Sequence, residues 1–247
     1  GILQYEAETE GEGAVHVEIF DVEGNKVAEA EGASGTITIP DARLWWPWPG
    51  TPYLYRAVFT FGEDIYEETF GIRTVKVEGT QFLINGKPFY FKGFGKHEDS
   101  PFHGRGLDLC LDVKDVNLIH WLHANSFRTS LCDRGGIVII DETPAVGIGA
   151  GEHCDPYQTF PIREHHEAVL RDMIERDKNH PCVVMWSMGN EPDTELFPES
   201  AYEYWHSLYE YTHTLDPQDR PVTFVCCQNN YEKDLVTRTM DVVCINR

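Results

Sequence analysis

The spacing of apolar and polar positions divides the chain into two rhythms. Up to about residue 78 the runs are short and alternate. Val15–Phe20 alternates, Glu23-Gly24-Asn25 turns, and Lys26-Val27-Ala28 starts a return strand. Residues 36–39 alternate again, residues 53–61 form an aromatic and β-branched run, and residues 67–75 follow as one further strand. About five short strands punctuated by turns predict an antiparallel β-sandwich of immunoglobulin type over 1–78. From residue 79 onward the pattern lengthens. Residues 82–88 read as a hairpin about Asn85-Gly86, and residues 89–93 as a strand. Helical spacing marks residues 113–124, 165–177 and 200–215. Val116, Ile119 and His120 share one side of the first, and Val169, Leu170, Met173 and Ile174 share one face of the second. Strands are predicted at 126–129, 136–142, 183–189, 222–226 and 241–245.

Strands alternating with helices imply a parallel sheet with crossover connections. Polar residues gather at strand ends: Lys96-His97-Glu98-Asp99, Asp141-Glu142, Asn190-Glu191 and Asn246-Arg247. No G-x-G-x-x-G follows a strand, so the pattern favours a (β/α)8 barrel for 79–247 over a dinucleotide-binding sheet. Only about six of the eight strands are found, so an incomplete barrel is expected. A second irregularity lies at residues 129–133, where a strand runs into what reads as the last turn of a helix, with no room for the helix itself.

Composition narrows the partners. With 41 acidic against 20 basic residues, the formal charge of −21 argues against nucleic acid or an anionic membrane surface. No apolar run reaches the roughly 18 residues a membrane span needs. Gly1-Ile2-Leu3-Gln4 lacks the basic start and apolar stretch of a secretory leader, and a cytoplasmic location is expected. The seven cysteines, at 110, 132, 154, 182, 226, 227 and 244, form no CxxC pair and read as buried reduced thiols. Glu164-His165-His166-Glu167 lacks the HExxH spacing, so no metal is expected there, and its histidines read as helix-face residues. The run Trp45-Trp46-Pro47-Trp48-Pro49 suits either a sugar-stacking patch or, more commonly, a packing cluster between layers.

The chemistry concentrates at 183–192. An apolar run ends in Gly189, an amide, a carboxylate and a proline that stops the strand, which places Asn190 and Glu191 at a strand tip. Retaining glycoside hydrolysis needs two carboxyl groups about 5–5.5 Å apart, one as acid/base and one as nucleophile. Glu191 suits the acid/base role, and it equally suits a strand-end carboxylate held in an ion pair. Asp193 and Glu195, beyond Pro192, are expected to face solvent.

Several stretches carry a resemblance. They are residues 82–91 (FLINGKPFYF), 93–99 (GFGKHED), 124–130 (ANSFRTS), 139–143 (IIDET), 176–181 (RDKNHP), 187–194 (SMGNEPDT) and 241–247 (DVVCINR). Together they resemble the middle portion of the β-glucuronidases of glycoside hydrolase family two, over nearly the whole chain. That resemblance implies a β-sandwich followed by a catalytic barrel. It implies a small-molecule or oligosaccharide glucuronide as substrate, no cofactor and no metal, and a homo-oligomer. It also implies that Glu191 is the acid/base and that Asn190, His97 and Asn246 contact the sugar, with Glu142, Arg128 and Asp99 in support. The family's nucleophilic glutamate follows the seventh barrel strand, and its Asn-x-Lys grip on the glucuronate carboxylate comes later. Neither is in this sequence, so the 247 residues alone are expected to be inactive. A family-two β-galactosidase and a non-catalytic carbohydrate-binding or scaffold protein stay open as alternatives.

Overall fold

The fold was read from a computed structural model. It describes every residue except 96–101, 103, 105–107, 129–132, 150–153, 160, 161, 229 and 247.

The first rhythm folds as expected. Strands β1 (Ile2–Glu6) and β4 (Ser34–Thr38) pair antiparallel. A second antiparallel sheet has the order β3-β2-β5-β6, from β2 (Val15–Phe20), β3 (Lys26–Glu31), β5 (Tyr55–Phe61) and β6 (Asp64–Phe70). Alternation decides which side chains enter the core. Val15, Val17 and Ile19 of β2 meet Tyr55 and Ala57 of β5, and Tyr5 and Ile37 close over them from the other sheet. The run expected over 67–75 breaks at Gly71. A Cβ there would lie 2.8–2.9 Å from Pro181 and 2.9 Å from Trp45, so the chain can pass only as glycine. It restarts as the meander β7 (Val75–Glu78), β8 (Gln81–Ile84) and β9 (Lys87–Pro88). Asn85 (φ +52°) and Gly86 (φ +71°) form the turn between β8 and β9, both in the left-handed region a two-residue hairpin requires.

The second rhythm builds a six-stranded parallel sheet. Its strands are β10 (Gly93–Gly95), β11 (Ser126–Arg128), β12 (Val138–Glu142), β13 (Val183–Asn190), β14 (Val222–Cys226) and β15 (Cys244–Ile245). The spatial order is the chain order, β10 to β15. Each strand lies beside its predecessor and the order never reverses, so there is no switch point of the doubly wound kind. The sheet is an arc of a (β/α) barrel, the incomplete barrel expected from sequence. The helices are α1 (Leu109–Trp121), the short α2 (Pro156–Thr159), α3 (Arg163–Asp177) and α4 (Pro198–Leu215). Strand β13 is buried along all but its last residue, with Val183, Met185, Trp186 and Met188 in one core with Leu170, Ile174, Trp205 and Phe224. Among the described residues, no helix is long and apolar enough to cross a membrane.

Three local expectations are corrected. Helix α1 starts earlier than 113, because the Asp108 side chain accepts from the backbone N–H groups of Cys110 and Leu111, both at 3.1 Å. Residues 89–92 are not strand. Phe89 and Phe91 stand edge to face at 5.0 Å, and Phe91 meets Phe82 at 4.9 Å. The side chain of Asn125 takes the place of a ladder partner, accepting from Lys92 N at 2.7 Å and donating to Tyr90 O at 2.9 Å. The cysteines are not uniformly buried: Cys182 and Cys226 are, while Cys110, Cys154 and Cys227 are exposed. Cys132 and most of the irregular 129–133 stretch lie outside the described residues.

The sandwich is tied to the barrel by specific groups. Arg73 donates to Pro181 O at 2.7 Å and Val183 O at 2.6 Å, at the start of β13. Trp45 is fully buried in the barrel core, and Trp48 stacks on His120 at 5.1 Å. The tryptophan run is therefore an inter-layer packing cluster. It also borders a cleft of about 310 Å³ with Lys87, Tyr90 and Lys92, at the end of the sheet opposite Glu191.

Candidate active site

Parallel strands present their C-terminal ends on one edge, and those ends collect the polar side chains. Asn190 ends β13, Glu191 follows it, and Asn246 follows β15. Strand β14 lies between them, yet the three side chains meet. Asn246 Nδ2 donates to Asn190 Oδ1 at 2.8 Å and to Glu191 Oε1 at 2.9 Å. An amide nitrogen has two N–H groups, and both are used here. With Asn190 presenting its oxygen, the opposite orientation of the Asn246 amide would set oxygen against oxygen, so the nitrogen faces both acceptors. Glu191 Oε1 is thus held as an acceptor, and a proton on this carboxyl group resides on Oε2.

The backbone aims the carboxyl group. Glu191 has φ +52°, uncommon for a side chain that is not glycine. Its N–H bonds Val225 O at 2.7 Å, while Asn190 N bonds Ala145 O at 2.8 Å. The conformation is therefore held from β14 on one side and from the segment after β12 on the other.

Glu142 and Arg128 occupy the adjacent tips of β12 and β11. They pair at 3.2 Å, and Ser187 Oγ donates to Glu142 Oε2 at 2.7 Å. Burial pushes the Glu142 carboxyl group up, while Ser187 and Arg128 oppose that shift. The pair is joined to β13 through Ser187, three residues before Asn190. His97 and Asp99 lie outside the described residues.

Two sequence expectations change here. Asp193 and Glu195 do not simply face solvent. Asp193 Oδ1 accepts from the backbone N–H groups of Glu195 and Leu196, both at 3.0 Å, and Glu195 Oε1 accepts from Asn230 N at 2.6 Å. They shape the loop after Pro192. His166 is not a surface residue of its helix but is buried, 5% exposed, with ring nitrogens 2.9 Å from Tyr204 OH and 2.8 Å from Met188 O.

Sequence reasoning missed a layer beneath the tip. Thr143 Oγ1 donates to Met188 O at 2.6 Å, Tyr157 OH donates to Asp193 O at 2.7 Å, and Gln228 Nε2 donates to Pro192 O at 3.0 Å. These bonds join positions far apart in sequence, and no local motif announces them. Among the described residues one group, His16, Glu18 and Glu29, gathers donors of the kind metals use. The Lys26 ammonium already stands 3.1 Å from Glu18 and 2.6 Å from Glu29 and supplies the cation there.

Comparison with known proteins identifies the family. The model of the TIM barrel domain of glycosyl hydrolases family 2 matches residues 75–247, and a second model of glycosyl hydrolases family 2 matches residues 2–73. The β-glucuronidase of Paenibacillus borealis is 45% identical over 269 residues, covering 100% of this chain and 44% of that protein. That of Sus scrofa is 44% identical, covering 100% of this chain and 40% of that protein. Among solved structures, the β-glucuronidase of Faecalibacterium prausnitzii superposes with a TM-score of 0.97 at 61% identity, covering 100% of this chain and 43% of that one. The β-glucuronidase of Bifidobacterium dentium, complexed with coumarin-3-O-glucuronide, gives 0.88 at 55% identity, covering 95% and 41%. The chain spans less than half the length of these relatives.

Proposed function

The chain belongs to glycosyl hydrolase family 2, and from that premise we propose that it serves the hydrolysis of β-D-glucuronides with retention, Glu191 being the acid/base. The observation that carries this reading is the Asn190–Glu191–Asn246 cluster, which holds Oε1 of Glu191 as an acceptor and leaves Oε2 to carry the transferable proton. In the first step Glu191 Oε2 gives its proton to the glycosidic oxygen as the bond to the anomeric carbon breaks. A second carboxylate attacks that carbon and forms a glycosyl ester. In the second step Glu191 takes a proton from water, whose oxygen displaces the ester. Asn190, its Oδ1 bonded to Asn246, has its own N–H groups to offer a sugar hydroxyl. We assign the nucleophilic glutamate to sequence beyond these 247 residues, since the relatives are more than twice as long. The glucuronide, rather than a galactoside, is supported by relatives that are β-glucuronidases on both the curated and the solved side.

Glu191→Gln in the full-length protein tests the assignment. Loss of a general acid should cost on the order of a hundredfold to ten-thousandfold with an alkyl glucuronide, whose leaving group needs protonation. A p-nitrophenyl glucuronide should still form its glycosyl ester and stall at its hydrolysis. Alkyl glucuronide turnover within about tenfold of the parent enzyme would remove Glu191 from the role.

A further inference from the structure

Strand β13 carries one residue too many for its neighbour. From Ser187 to Asn190 it advances three positions, while β14 advances two, from Thr223 to Val225. The surplus falls at Met188-Gly189, directly before Asn190 and Glu191, and forms a β-bulge. A bulge turns a carbonyl out of the ladder, and a buried carbonyl must find another donor. Met188 O has two. Thr143 Oγ1 donates at 2.6 Å, and His166 Nε2 stands at 2.8 Å. A carbonyl only accepts, so Nε2 carries the hydrogen. Nδ1 then accepts from Tyr204 OH at 2.9 Å, which defines one tautomer of a neutral ring. Burial lowers the affinity of His166 for a second proton, in keeping with that state. Gly189 completes the device: a Cβ there would come within 3.0 Å of Ala145 O and 3.0 Å of the Trp205 ring, which itself stands edge-on to His166 at 5.4 Å.

We propose that Thr143 and His166 are a positioning pair that fixes the bulge of β13 and so aims Glu191 and Asn190. The proposal rests on the acid/base reading of Glu191. Neither residue touches substrate. They act through the Met188 carbonyl, three residues ahead of the carboxyl group. Misplacing a catalytic group by about 1 Å can cost on the order of a hundredfold.

The test uses the full-length protein with four variants: Thr143→Val and His166→Leu, which remove the donors, and Thr143→Ser and His166→Gln, which keep one. On an alkyl β-D-glucuronide, whose leaving group needs protonation, the first two should lose on the order of tenfold to a hundredfold in kcat with KM little changed, and the second two should recover most of it. Hydrogen exchange provides a readout independent of turnover. The amides of Asn190 and Glu191 should exchange at least about tenfold faster in Thr143→Val, while those of β2 keep the parent rate. Unchanged exchange at the tip overturns the proposal, as does exchange that quickens across the whole fold. Local loosening with kcat intact also overturns it. Local loosening in a parent protein that hydrolyses no glucuronide supports the clamp and defeats the functional reading instead.

Discussion

Arg220→Met should be among the most damaging single changes to the barrel core, and its cost can be worked from contacts. The Arg220 and Asp216 side chains are 0% and 1% exposed and paired. Arg220 donates to Asp216 through Nε at 2.8 Å and through Nη2 at 2.7 Å. Trp186 Nε1 donates to the same carboxylate at 2.9 Å, and the guanidinium lies 4.5 Å from the Trp186 ring centroid. The other guanidinium contacts are replaceable. Val183 O also accepts from Arg73, and Lys178 O also accepts from Gln218. The loss is therefore that of an orphaned buried carboxylate, about 3–5 kcal/mol. With a slope of about 3 kcal/mol per molar urea, the unfolding midpoint should fall by about 1–2 M, followed by tryptophan fluorescence. The pH dependence sharpens the test. Burial alone would raise Asp216, but Arg220 and Trp186 outweigh it and hold the carboxyl group below the usual carboxylate range. Its contribution is thus present above the unfolded pKa and is lost as pH falls through the folded value. Without the Arg220 guanidinium, burial is opposed only by Trp186 and backbone N–H groups and the carboxyl group moves up, so the gap between parent and variant should be wider at pH 7 than at pH 4. A second change, Asp216→Asn, made on top of Arg220→Met should restore part of the stability. A loss below about 1 kcal/mol, or one that ignores pH, would refute the reasoning.

Two further predictions concern other parts of the sheet. Burial and the neighbouring Asp177 push the Asp141 carboxyl group up to about 8, so its contribution to stability is full below the unfolded pKa and fades as pH rises through about 8. Asp141→Asn should therefore be more stable than the parent at pH 9 and lose that advantage at pH 4, read from melting temperatures at the two pH values. Gly93→Ala should unpair β10 from β11, because its Cβ would collide with the Ser126 carbonyl oxygen. A cost of about 1–3 kcal/mol is expected in chemical unfolding, together with faster amide exchange in β11.

Periodicity made most of the architecture readable. The bounds of β14 and nearly those of β13 follow from runs that are apolar but for Thr223 and Ser187, and the strict alternation of β2 predicts which of its residues enter the sandwich core. Misreadings arose where tertiary contacts override local pattern. Residues 89–92 look like a strand, yet Asn125 occupies their hydrogen bonds from 33 and 35 residues away. The site divides in the same way. Glu191 and Asn190 announce themselves as polar residues after an apolar run. Their junction with Asn246 depends on β14 and β15 folding beside β13, and a separation of 55 residues hides it. Thr143 and His166 were less visible still. One looks like an ordinary residue after a strand and the other like part of a charged helix face, and only the bulge reveals what they share.

Arg73 bears on how the two layers could be engineered apart. It lies between β6 and β7, in the segment joining sandwich to barrel, but its guanidinium serves carbonyls at the root of β13. The segment is therefore a structural part of the barrel, although the sandwich strands lead into it. A chimera that exchanges sandwiches between relatives after residue 74 would discard this arginine and take a donor from the Val183 and Pro181 carbonyls. A junction placed at residue 70 keeps it. The modular border of the protein thus differs from the visible gap between its sheets, and the choice between the two decides whether a transplanted barrel keeps the root of its central strand.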